Sequence, residues 1–178
     1  MNVLLTLIAL LTSLLLAPAT NPSTAPTIVI DQIPFHAMRI GIPRGWATRE
    51  LSQLNGLMVI RPGKTEEGYQ PNLFFEIREQ AKPRTLEETV TDELSILPQK
   101  RHNFASPDTR ILKHRNGFNY AVLKYTCDDR AGTTLSEREV IVPIKEDRKL
   151  IVLMSGAQDD QKQLDGLFDR LTDAIRMH

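Results

Sequence analysis

The side chains with reactive chemistry are few and scattered. Cys127 is the only thiol, and no other cysteine is present to pair with it or complete a cysteine-rich zinc site. It ends an apolar run and is followed by Asp128 and Asp129. Two carboxylates raise a thiol's pKa, so Cys127 reads as a small buried hydrophobe rather than a nucleophile. Ser155-Gly156 follows an apolar stretch but lacks the first glycine of a nucleophile elbow, and the chain has no phosphate-binding or dinucleotide fingerprint. Glu137 and Glu139 have the i, i+2 spacing of one strand face, and read as the polar side of an outer strand, not as a glycosidase pair. The histidines His36, His102, His114 and His178 show no close metal-site spacing and read as solvated loop residues. The alternative is a metal site joining His114 or His102 to the Asp128-Asp129 carboxylates. The residues therefore argue against an enzyme, and no cofactor is implied.

Recognition chemistry is placed more naturally in loops. Residues 64–70 are polar, and Lys64, Glu66, Glu67 and Tyr69 are the candidates for contact with a partner, because long polar loops on a rigid sheet are where binding is usually carried. Residues 62–72 and 101–108 are the two loop regions expected to form that surface. Gly45, Trp46, Asn116 and Gly117 read as structural: Pro43-Arg44-Gly45 is a turn, Trp46 plugs the core where the chain reverses, and Asn116-Gly117 is a strong hairpin signal.

The elements that must position these residues follow from periodicity. Thr27 to Ile30 and the alternation Met38, Ile40, Ile42 read as strands, as do residues 57–60 and the alternation Leu73, Phe75, Ile77. Thr85-Leu86-Glu87-Glu88 has the form of a capping box, and Leu86, Val90, Leu94 and Leu97 recur at helical spacing until Pro98. From Arg110 the pattern is a four-strand meander, with connections at Asn116-Gly117, residues 128–132 and residues 145–148. Residues 150–154 are apolar at every position, which requires cover on both faces and makes that strand central. A final amphipathic helix over 159–177 aligns Leu164, Leu167, Phe168, Leu171 and Ile175.

Lys plus Arg total 22 and Asp plus Glu total 22, so net charge is zero and no basic block exists. That removes the electrostatic basis for nucleic-acid binding. No charged residue precedes Asp31, and residues 3–17 are apolar except for Thr6, Thr12 and Ser13. The run is short for a membrane span, which needs about 20 residues, and suits a secretory signal followed by the small-x-small site Ala17-Pro18-Ala19. Residues 1–19 are thus expected to be a signal peptide, 20–26 a flexible tether and 27–178 one domain. The alternative is an N-terminal membrane anchor. With no cysteine near the end of the run, lipid anchoring is not expected, and cleavage would leave no stable span.

The succession of Ile42-Pro43-Arg44-Gly45-Trp46, an alternating strand, a Thr85-Leu86-Glu87-Glu88 helix start, a meander and a last helix containing Leu167-Phe168-Asp169-Arg170-Leu171 resembles the PsbP-like superfamily. That group includes the photosystem protein PsbP, the Mog-type proteins and the exported bacterial DcrB-like proteins, the last being closest in context. The resemblance implies an α+β fold in which an antiparallel β-sheet is flanked by helices on both faces. It also implies a binding or assembly protein without a shared catalytic site. The expectation is a secreted or periplasmic, non-enzymatic domain that contacts a protein partner. A small-ligand or metal-binding extracytoplasmic module is the alternative.

Overall fold

The computed structural model describes residues 28–63 and 69–177. The proposed signal and tether, and Lys64, Glu66 and Glu67, lie outside the described residues. Strands β1 (Ile30–Phe35) and β2 (Met38–Pro43) form a hairpin whose turn places His36 at φ 51°. Strands β3 (Ala47–Leu51), β4 (Gly56–Ile60) and β5 (Asn72–Glu79) follow, then helix α1 (Leu86–Lys100). The meander comprises β6 (His102–Lys113), β7 (Asn119–Asp128), β8 (Thr134–Lys145) and β9 (Arg148–Ala157). Helix α2 (Gln161–Asp173) and the short β10 (Arg176–Met177) complete the chain.

Two antiparallel sheets result: a small one in the order β1-β2-β10, and a seven-stranded one in the order β3-β4-β5-β9-β8-β7-β6. β9 takes the middle position, as its unbroken apolar run requires. Because strand side chains alternate, the large sheet has two unlike faces. Phe75, Val140, Val142, Leu150, Val152 and Met154 pack against α2 and the small sheet. Leu123, Tyr125, Ile141 and Ile151 point to the other face and meet Val90 and Leu97 of α1. Gly156 lets α2 approach, since a Cβ there would lie 2.0 Å from Leu164 Cδ1.

Several boundaries differ from the sequence expectation for local physical reasons. The first strand begins at Ile30, and its pairing with β2 draws Ile30 to Phe35 into the ladder despite its polar content. Residues 47–51, almost wholly exposed, become the edge strand β3 through backbone pairing to β4. Helix α1 passes Pro98 and ends at Lys100, with the Arg101 amide bonding the Leu97 carbonyl. The last helix stops at Asp173, and Arg176 and Met177 pair with β2 instead.

The expected 101–108 loop is the irregular first half of β6, with register shifts between His102 and Ala105 and between Ala105 and Asp108. His102 therefore stands opposite Asp128 in a strand pair. The Asn116-Gly117 turn spans the five residues 114–118, closed by Lys113 facing Asn119, where a tight two-residue hairpin would have set His114 near Asn119. His114 is buried and stacks on Phe118 at 4.3 Å, and is not a solvated histidine. The largest change concerns β8: it is interior, so Glu137 and Glu139 lie beneath α1 and are buried, not on an outer polar face.

Candidate functional site

Register places polar side chains in two groups under α1. Asn72, Ser155, Glu137 and Tyr125 are successive partners on β5, β9, β8 and β7, forming a row across the sheet. Ser155 Oγ donates to Glu137 Oε1 at 2.5 Å. Arg101, just past α1, brings Nε to 2.9 Å from Glu137 Oε2, a close ion pair without an aligned N–H bond. The Tyr125 hydroxyl is buried with no aligned partner, and burial, reinforced by Glu137, raises its pKa. Tyr69 reaches the same end of the sheet, its hydroxyl accepting from Asn72 Nδ2 at 2.9 Å.

The second group lies further along the helix. Arg78 bonds Glu93 at 2.7 Å and Glu76 at 2.8 Å, while Lys149 bonds Glu93 at 3.0 Å. Burial alone would raise the Glu93 carboxyl, but Arg78 and Lys149 outweigh it and hold it below its ordinary value. Glu139 is 5% exposed and its Oε1 has no partner. Burial, then the nearby Glu93, push its pKa up to about 7.

Next to the first group a cleft of about 630 Å³ opens at the sheet end, with Tyr69, Cys127, Glu137 and Ser155 among its lining and Lys100, Asp128, Asp129 and Arg130 also around it. Cys127 is buried, and burial followed by Glu137 pushes its thiol up to about 12, so it stays protonated at neutral pH. Asp128 accepts from Asn103 and Thr134, and Asp129 from the amides of Ala131 and Thr133, so both carboxylates hold the β7–β8 turn.

Of the sequence candidates, Tyr69 is at this cleft. Trp46 is half-buried against the α2-side core, Gly45 takes φ 83° in its turn, and Asn116 and Gly117 sit in the hairpin far along β7 from the cleft. His114 and Asp128 flank opposite ends of the ten-residue β7, about 30 Å of strand, so they do not form one metal site. His102 is beside Asp128, yet among the described residues no group of three or more His, Cys, Asp or Glu side chains is arranged to hold a metal. The ionic residues under α1 escaped the sequence reading. A signal existed: a meander whose fourth strand is central makes its third strand interior as well.

No protein-family model matches the chain, and comparison with curated proteins finds no relative. Solved structures do match. CyanoP, the cyanobacterial PsbP of Synechocystis, has 13% identity and a TM-score of 0.61, covering 89% of this chain and 98% of its own. LpqN of Mycobacterium tuberculosis, involved in cell envelope biogenesis, has 12% identity and a TM-score of 0.60, covering 85% and 92%. The Ran-binding protein Mog1p of Saccharomyces cerevisiae has 9% identity and a TM-score of 0.59, covering 85% and 96%. The chain has the Mog1p/PsbP-like α+β fold, a large antiparallel sheet with two helices. The likeness is one of fold and does not single out the DcrB-like group.

Proposed function

We propose that this chain is an exported, non-enzymatic domain that binds a protein partner in an extracytoplasmic compartment. The cleft beside Tyr69 carries the reading. Lys100 and Arg130 stand with Asp128 and Asp129 around it, over a rigid sheet end with buried polar groups beneath. Charges of both signs on a neutral molecule favour recognition by matched local contacts over attraction by a bulk field. The apolar run 3–17 and the Ala17-Pro18-Ala19 site support export. So does the shared fold with LpqN, a protein involved in cell envelope biogenesis.

The test is to express the full chain in a bacterial host and install a photo-crosslinking residue at position 69 or 130, with position 54 at the far end of the sheet as control. The expected outcome is an extracytoplasmic protein beginning at Thr20, and one protein species captured from 69 and 130 but not from 54. Retention in the cytoplasm with residues 1–19 intact would overturn export. Absence of site-specific capture, together with a ligand-induced thermal shift, would replace the protein partner with a small ligand.

A further inference from the structure

Glu139 is the unmatched charge beneath α1. The groups facing it are Arg78 from β5, Lys149 from β9, Glu93 from α1, Arg101 just past that helix and Tyr125 from β7. Arg78 and Lys149 are bonded to Glu93 and Glu76, and Arg101 is paired with Glu137. Among the described residues no cation is paired with Glu139, and its Oε1 is buried without a hydrogen bond. The helix above buries two hydrophobic side chains fully, Val90 and Leu97, with Leu86 and Leu94 partly buried against the same cluster and the polar Thr89 and Glu93 buried beside them. A buried ionised carboxylate without a partner is costly, and the cost disappears if water reaches it.

We propose that Glu139 is a proton-operated latch for α1. With the carboxyl protonated the helix seats on the sheet; with it ionised, an unmatched negative charge near Glu93 favours a state in which α1 has lifted and water reaches both groups. Arg101 continues directly from the helix and holds Glu137, so lifting α1 removes that contact from the cleft. The sign follows from linkage. The folded carboxyl titrates at about 7 against an ordinary 4.5, so the seated state is fully favoured below the ordinary value and loses stability as pH rises through about 7.

Hydrogen exchange on the full chain tests this, with rates corrected for the intrinsic pH dependence of exchange. Between pH 6 and 8 the protection of α1 amides should fall about tenfold, while that of α2 amides stays level. In Glu139→Gln the α1 protection should be level as well. A flat α1 profile, an equal fall in α2, or a wild-type profile in Glu139→Gln would overturn the latch. The carboxyl carbon shift of Glu139 in the unaltered protein supplies a second measurement that does not depend on the variant folding. A midpoint near 7 supports the latch, and one in the ordinary carboxylate range overturns it.

Discussion

The two faces of the large sheet are held by different physics. On one, α2 buries Leu164, Leu167, Phe168 and Leu171 against a continuous apolar surface, and its main ionic anchor is Arg138, which bonds Asp165 and Asp169 and lies 5.5 Å over the Phe168 ring. On the other, α1 buries Val90 and Leu97 with Leu86 and Leu94 partly buried beside them, and sits over the Arg78–Glu93–Lys149 ion pairs and the unpaired Glu139. Full burial of a side chain such as Leu or Val contributes roughly 1.5–3 kcal/mol. The four hydrophobic side chains buried by α2 therefore outweigh a typical single ion pair. The α1 contact is the smaller of the two, so the roughly 3 kcal/mol linked to moving one carboxyl from its ordinary 4.5 to about 7 is a larger share of it. Two helices placed by the same sheet thus differ in what can dislodge them.

The contrast can be broken or sharpened by substitution, beginning with the apolar face. Phe75→Ala removes a buried ring that packs near Phe35 and should destabilise the whole domain by about 4 kcal/mol in urea unfolding, with α1 and α2 lost together. Separate unfolding of α2 would break the picture of one cooperative domain built on a shared sheet. On the charged face, Glu93→Ala strands Lys149 beneath the helix and should cost about 3 kcal/mol, with hydrogen exchange showing α1 released first. The added change Lys149→Met should recover part of that loss; no recovery would mean that packing rather than charge holds α1.

Gly156→Ala forces Leu164 out of its rotamer and should cost about 2 kcal/mol, read as a lower Tm with the α1 amides no less protected relative to the rest. The smallest effect is expected of Thr85→Ala. It removes the hydroxyl that accepts from the Glu88 amide in the capping box and should cost about 1 kcal/mol, fraying the first turn of α1 without touching α2.

Local signals in the chain mapped onto the structure where one segment's chemistry was sufficient. Thr85 and Glu88 form both bonds of the capping box, and the stripe from Leu164 to Leu171 faces the core. The signal was weaker where a segment owes its form to a neighbour. Residues 47–51 and 102–108 have no apolar alternation to mark them, and become strands through backbone bonds to β4 and β7. Pro98 marked the end of α1 to within one turn, because a proline near a helix C-terminus removes a single bond that the last residues can do without. Tyr69, singled out from its loop, lines the cleft. Glu93, Arg101, Lys149 and Ser155 were not legible as site residues, because nothing in a single strand or helix states which charges will face each other across the sheet.

The α+β class, the central apolar strand and both helices follow from the sequence alone, since each is set by the period of the residues concerned; the raised thiol of Cys127, expected from Asp128 and Asp129, is owed instead to burial and then to Glu137. Only the tertiary structure decided that Glu137 and Glu139 are interior and that α1 covers them. Their burial is a property of strand order: β8 lies between β7 and β9, and the alternation that would expose a carboxylate on an outer strand turns it inward under a helix here.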